Sequence, residues 1–599
     1  MKVADYVIDF LGQKGIKDIF VVYGAANGDL IDAFVRTDKT RYVCTAHEQG
    51  GGFAAEGYAK ILGIPSAAIA TSGPGGQNFL TSIANFYYDS VPGIFITGQV
   101  NSKYMRPNKK FRQRGFQETP IVEMVTPVTK YAKTIINPMS IKYEMEKAWH
   151  ISQEGRPGPV LLDFPINIQQ EEVNIENLKS YSFKPSKDTS YNLKFIDNQI
   201  DSFLNDLHNS ERPSIIIGGG VRIANGLEEL LKVGEKLKIP MFPTWNAIDI
   251  VTDDYEFFGG RFGTYGGKGR NFGIQNSDLV LAIGSRISGR LFGSNSESFL
   301  RAAKKYLVNI ENSQLEKKFQ EIPFDENIHC DAKIFLEKLN SKIGKVKNFS
   351  PWMKWVAERR DKYDPVKSEF FDIKEPTHPY AFIRILSQEM EKGDILISDC
   401  GGNVVTVNHA FESKKGQRMI TNNGNSPMGF SFAGAMGAWL ASDKKHNTVC
   451  IIGDGGMTMN IQELQTVKNY NLGFKTFISN NHCYGITRQF QRTKFEGRQE
   501  ACGPKGYSPP DFVKICEAYG IPTLTINNNS EAREKIKQVL NHKGPIVCDV
   551  NCHDWDNYEP RVFGGKSIEE MFPFLSREEF MENMIIDPIL ERKDRITSE

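Results

Sequence analysis

Short runs of aliphatic and β-branched residues alternate with amphipathic stretches along almost the whole chain. Positions 18–22, 67–70, 93–97 and 159–163 are such runs in the first part. Each has the length of one strand, and helical spacing of apolar residues follows it, which predicts parallel strands joined by crossover helices. A polar segment at 179–191, with Pro185 among serines and lysines, closes this first unit. A second unit opens at 213–220, where a buried strand runs into three glycines, and continues through the apolar run 278–284. Another polar stretch, 342–350, leads through a Trp-containing helix into a third unit with strand runs at 394–398, 448–452 and 545–550. The expected fold is therefore α/β, with three doubly wound parallel-sheet domains. Their expected spans are 1–180, 190–345 and 365–552, followed by a tail, 553–599, which should pack on the body because Phe572, Phe574, Leu575 and Phe580 need cover. No short tandem repeat is visible, although the first and third units are similarly patterned.

Composition narrows the function classes. A chain of 599 residues is too long for one hydrophobic core. Lys plus Arg total 73 against 72 for Asp plus Glu, so the overall charge gives no footprint for nucleic acid or an anionic membrane. Small molecules are the expected partners. The sequence shows no basic-then-apolar leader and no apolar run long enough to span a bilayer, which makes the cytoplasm the expected location. The nine cysteines are scattered, and Cys548 and Cys552 lack neighbours in a zinc-like arrangement. They are expected to be reduced, structural thiols.

The chemistry is concentrated at 448–456, which reads strand then Gly453-Asp454-Gly455-Gly456, and at 475–481, a second strand ending in Asn480-Asn481. In a parallel βαβ unit both turns fall at the carboxyl ends of neighbouring strands, where open sheets bind ligands. Asp454 and Asn481 then face one ion, and their oxygens suit Mg²⁺. The glycines let backbone N–H groups approach a diphosphate at the helix start. The Gly-Asp-Gly triplet alone is a weak signal that a tight turn capping a helix also produces, and the Asn-Asn pair alone is weaker still. Far upstream, Glu48 stands at the entry of a helix of small residues, 48–59, where a glutamate is ordinarily a cap that complements the helix dipole.

Together, the Gly-Asp-Gly turn and the Asn-Asn pair closely resemble the binding motif of thiamine diphosphate enzymes. The resemblance implies that Asp454, the Asn481 side chain and the Cys483 main-chain carbonyl hold the metal. It implies that Glu48 hydrogen-bonds the aminopyrimidine N1′ of the cofactor and manages its protons. Met428 matches the large apolar residue beneath the bend between the two cofactor rings, and could equally be a core methionine filling a gap. Residues Gly401, Gly402 and Asn403 match a loop on the diphosphate side.

Over nearly its full length the chain resembles the catalytic subunit of acetohydroxyacid synthase (acetolactate synthase). The matching stretches include 71–78, 89–100 and 115–123. Phe116 and Gln117 fall at active-site positions of that family, and Lys130 matches a lysine at the pocket edge, where a solvated surface lysine is an equal reading. Arg286 and Arg290 resemble the arginine pair that holds FAD, and Arg290 also matches the position that engages the second substrate's carboxylate. The family implies pyruvate or a similar 2-keto acid as donor, a second carbonyl compound as acceptor, and a homodimer or homotetramer with sites between subunits. Two departures are plain. Ser288 and Gly289 replace two aspartates between the arginines, and Ile486 and Phe490 replace Met and Trp around the acceptor pocket. These departures, with residues 243–247 and the tail, look more like a branch whose acceptors include ketosugar nucleotides. Simple non-oxidative decarboxylation and a non-catalytic cofactor-binding homologue are the remaining alternatives.

Overall fold

A computed structural model describes residues 1–183 and 190–589. Residues 184–189 of the expected linker and 590–599 of the tail lie outside this description. Three parallel sheets succeed one another along the chain. The first contains β1 (Asp18–Val21), β2 (Arg41–Cys44), β3 (Ser66–Ala70), β4 (Gly93–Gln99), β5 (Tyr131–Thr134) and β6 (Pro159–Pro165), in the order 2-1-3-4-6-5. The second contains β7 (Pro213–Ile217), β8 (Met241–Pro243), β9 (Leu279–Ile283), β10 (Lys304–Asn309) and β11 (Glu326–His329), in the order 11-10-9-7-8. The third contains β12 (Ile395–Ser398), β13 (Arg418–Ile420), β14 (Thr448–Gly453), β15 (Lys475–Asn480), β16 (Thr523–Ile526) and β17 (Ile546–Asn551), in the order 13-12-14-15-17-16. The first and third sheets thus share one strand order, the topological content of their similar patterning. Their central strands are buried on both faces, as continuous apolar runs in parallel sheets require.

The first and third sheets are locked together by two helices. Helix α1 (Glu48–Leu62) and helix α2 (Phe430–Ala441) are rich in Gly and Ala, so their backbones meet without side chains between them. A methyl group on Gly57 would lie 2.0 Å from the Gly434 carbonyl oxygen, and one on Gly437 would lie 1.7 Å from that of Ala54. Phe53, Tyr58, Phe430 and Met436 around this crossing belong to one core that draws on both sheets. Substituting either glycine forces the helices apart and opens that core.

The middle sheet has its own core, and the tail closes over its helix α3 (Lys268–Gln275). Asn271 Nδ2 donates to the Ile568 carbonyl at 2.7 Å, and Asn276 Nδ2 donates to that of Asn583 at 2.9 Å. Phe580 is 6% exposed under this contact, whereas Phe574 remains 53% exposed. Among the described residues, no helix is long and apolar enough to cross a membrane.

Candidate active site

Three loops converge at the carboxyl ends of adjacent strands β12, β14 and β15. β14 pairs with β15 in the register Gly453 to Ser479, so the turn after β14 and Asn481 after β15 emerge side by side. β12 lies on the other side of β14 and delivers Asp399, Cys400 and Gly401 to the start of helix α4 (Gly402–Ala410). Gly401 can make this turn because its φ of +67° costs a glycine little.

The glycines measure how closely the loops approach. A methyl group on Gly453 would lie 3.1 Å from Asn403 Nδ2, and one on Gly401 would lie 3.5 Å from Ile486 Cγ2. At Gly455 it would meet the Tyr484 ring at 2.4 Å and Met428 Cε at 3.0 Å, and at Gly456 it would meet Asp399 Oδ2 at 2.2 Å. The structure therefore brings Gly401, Gly402, Asn403, Met428, Gly453, Asp454, Gly455, Gly456, Asn481 and Ile486 into one cluster. Asp399 organises it from below. Its carboxylate accepts the Gly429 N–H at 3.0 Å and the Ser431 N–H at 3.2 Å, which fixes the loop carrying Met428. Burial pushes the Asp399 carboxyl up to about 6.

Asp454 opens helix α5 (Asp454–Met459) and is 2% exposed. Its Oδ1 accepts the Gly455 N–H at 2.9 Å, while Oδ2 is buried without a well-formed hydrogen bond, the Tyr507 hydroxyl and the His482 N–H being the donors near this carboxylate. Burial pushes this carboxyl up to about 7. A carboxylate in this position lacks its counter-charge. Asn481 commits its amide nitrogen to the Trp555 carbonyl at 2.7 Å, leaving its amide oxygen as the free end of the group. Cys483 is buried, and desolvation raises its thiol to about 12, so the sulfur is held as a neutral thiol.

A second cluster forms in the first unit. His47 caps α1 by accepting the Gln49 N–H at 3.1 Å, which sets Glu48 as the first helical residue. Glu48 is buried, and its Oε2 accepts from Asn78 Nδ2 at 2.9 Å. Gly73 lies against Gln117, whose φ is +61°, and the adjacent Phe116 is 87% exposed. Among the described residues, no hydrogen bond or ion pair joins Glu48 to the Asp454 cluster.

Arg290 lies near the cluster, where its charge acts on the Cys400 thiol. Arg286 and Arg290 are exposed at a cavity of about 720 Å³ lined by all three units, and Arg290 lies 5.3 Å from the Trp245 ring centre. Phe490, on helix α6 (Gly485–Lys494), is 53% exposed and packs edge-on against Phe495. Lys130 turns inward instead: its Nζ donates to the Glu154 carbonyl, and desolvation lowers its ammonium to about 8. Sequence reasoning missed the organising role of Asp399 and the hold of the Trp555 carbonyl on Asn481. Only Asp399 carried a signal, as the acid preceding the Cys-Gly-Gly turn.

Three parallel α/β units with this cluster at one sheet's carboxyl edge have the architecture of a thiamine pyrophosphate enzyme. Family models agree unit by unit: the N-terminal TPP binding domain matches residues 1–124, the central domain 200–339 and the C-terminal TPP binding domain 399–550. The probable acetolactate synthase large subunit of Methanocaldococcus jannaschii is 33% identical over 561 residues, covering 92% of each chain. Acetolactate synthase 2, chloroplastic, of Brassica napus is 30% identical, covering 95% of this chain and 88% of the relative. The acetolactate synthase large subunit of Lactococcus lactis is 29% identical, with 94% and 95% covered. The chain belongs to the acetolactate synthase large-subunit family of thiamine pyrophosphate enzymes.

Proposed function

We propose that the protein decarboxylates pyruvate and joins the remaining two-carbon unit to a second 2-keto acid, giving 2-acetolactate when that acceptor is also pyruvate. The observation that carries this reading is the buried Asp454 Oδ2, without a well-formed hydrogen bond, among the glycine turns of β12, β14 and β15. An anionic oxygen without a counter-charge beside a free amide oxygen fits a hard divalent cation, and we assign Mg²⁺ to Asp454, Asn481 and the Cys483 carbonyl. The starts of α4 and α5 supply N–H groups for a diphosphate on that ion. When bound, thiamine diphosphate supplies the carbanion chemistry that releases CO₂ from the donor.

The chain's own groups then have distinct tasks. Glu48 would hydrogen-bond the aminopyrimidine N1′ and hold its proton, and Met428 would pack against the bound cofactor. Arg290 engages the acceptor's carboxylate, with Ile486 and Phe490 shaping the space around it. Gln117 and Phe116 cover the reacting end and exclude water. Lys130 belongs to this set by family resemblance only, because its ammonium is turned to Glu154. The placement of Glu48 and Asp454 in different units and the exposure of Phe116 support a homodimer, alone or paired into a tetramer, whose sites form between subunits.

FAD is assigned to the large cavity. Gly219, Gly220, Arg286 and Arg290 line it, and Trp245 Nε1 and Arg222 Nε, from two further lining residues, are buried without acceptors. Such unsatisfied donors fit a ligand rich in acceptor oxygens and ring nitrogens. The relatives' activity favours a 2-keto acid acceptor over a ketosugar nucleotide. Purified protein given thiamine diphosphate, Mg²⁺, FAD and pyruvate should yield acetoin after acid treatment. Absence of pyruvate consumption overturns the reading, and a product mass showing transfer only to an added ketosugar overturns the acceptor.

A further inference from the structure

The tail that follows β17 reaches back under the diphosphate-side loops. Trp555 accepts the amide of Asn481 through its carbonyl, and Arg488 on α6 pairs with Asp556 at 2.8 Å. These contacts drive Tyr558 into the body, where it packs with Trp245, Val404 and Val405 and is 5% exposed. Its hydroxyl points at the turns themselves. A methyl group on Gly402 would lie 2.1 Å from Tyr558 Oη, and one on Gly485 would lie 2.3 Å from it. Both positions must be glycine for the hydroxyl to fit.

Among the described residues this hydroxyl makes no hydrogen bond. The ring is buried, yet the hydroxyl oxygen faces accessible space, so it is free to donate to a ligand entering there. Gly402 is the first residue of α4, a helix of nine residues whose leading N–H groups are free to bind an anion. Gly485 follows Asn481 and Cys483, on the metal side of the same gap. An acceptor lying between the α4 start and the metal ligands would therefore be within its reach.

We infer that the Tyr558 hydroxyl donates a hydrogen bond to the cofactor's diphosphate, making the tail a structural part of the cofactor site. The inference rests on the cofactor reading above. Tyr558 is a positioning residue: it fixes the phosphate end and touches no reacting atom.

The test compares Tyr558→Phe and Asp454→Asn in the full-length protein, using inorganic pyrophosphate with Mg²⁺ as the probe and calorimetry as the readout. The phenylalanine keeps the ring, so packing is preserved and the change reports the hydroxyl. Affinity for pyrophosphate should fall roughly 10–100-fold in Tyr558→Phe, as loss of a hydrogen bond to a charged group implies. In turnover, the KM for thiamine diphosphate should rise while kcat at saturation stays near wild type. If Asp454→Asn weakens pyrophosphate but Tyr558→Phe leaves its affinity within about twofold, the tyrosine assignment is overturned and the cofactor reading stands. If neither variant weakens it, both are overturned.

Discussion

Glu463 accepts the backbone N–H of His47 at 3.0 Å, so the residue immediately before Glu48 is held by a side chain from the third unit. The same carboxylate accepts the Ala46 N–H at 3.1 Å and the Thr466 hydroxyl at 2.7 Å, and it is fully buried. Burial raises this carboxyl above its ordinary range, while the three donors act against the shift. The entry of α1 is thereby tied to helix α7 (Glu463–Tyr470), a few residues beyond the Asp454 turn.

Replacing Glu463 by Gln tests that tie. An amide presents its NH₂ group to one of the three donors, and the entry of α1 loses a hydrogen bond worth about 1–3 kcal/mol. Because misplacement by about 1 Å can cost on the order of a hundredfold in rate, kcat should fall far more than thiamine diphosphate affinity. Steady-state kinetics with a parallel cofactor titration separate the two effects. Unchanged kcat in a folded variant contradicts the role.

The parts legible in the sequence are those with local constraints. Gly453-Asp454-Gly455 and Asn480-Asn481 each end a strand of ordinary length, so periodicity alone places them at a sheet's carboxyl edge. The shared order of the first and third sheets is visible only as similar patterning, because pairing of strands distant in sequence leaves no spacing rule. Glu463 and Tyr558 are illegible for the same reason. One acts on backbone 416 positions away, and the other comes from a tail with no motif of its own. Lys130 shows the reverse limit: a match in position says nothing about where its methylene stem turns, and here it leads to the Glu154 carbonyl.

Helix α4 depends at its far end on arginines from outside the third sheet. Arg261, fully buried, donates to the carbonyls of Asn408 at 3.1 Å and Phe411 at 2.7 Å and pairs with Asp253. Arg270 reaches the Asn408 carbonyl at 3.2 Å, and burial beside Arg261 lowers its guanidinium to about 10. Cations at a helix C-terminus complement its dipole. Arg261→Met leaves Asp253 without that partner and should destabilise the protein by about 3–5 kcal/mol. Chemical denaturation measures the loss, and a change within about 0.5 kcal/mol contradicts it.

Asp163, in buried β6, makes stability depend on pH. Its carboxylate accepts from Thr97 at 2.8 Å, Thr134 at 3.0 Å and Gln99 at 3.2 Å, yet burial outweighs these donors and lifts the carboxyl to about 7. The folded chain then holds this proton where the unfolded chain has released it. Its stabilising contribution is full below the ordinary carboxylate range, about pH 4, and is lost progressively as pH rises through about 7. Asp163→Asn removes the titration, so unfolding midpoints measured between about pH 5 and pH 8 should vary less than in the wild type. An identical slope in both proteins shows that Asp163 is not its source.

The placement of Glu48 and Asp454 in different units makes a prediction about mixed assemblies. If each active site takes Glu48 from one subunit and Asp454 from the other, Glu48→Gln and Asp454→Asn homodimers are both defective. A heterodimer of the two places both substitutions in one site and leaves the other intact. Co-expression with random pairing gives heterodimers in about half of the assemblies, so activity should recover to about a quarter of wild type. Both substitutions on one chain, co-expressed with an unsubstituted chain, provide the contrasting arrangement: every mixed dimer then has two singly damaged sites. Only the unsubstituted homodimers work in that mixture, which again leaves about a quarter of the activity, against about a half when one chain completes each site. No recovery in the first mixture, with about a half in the second, places Glu48 and Asp454 in sites that a single chain completes.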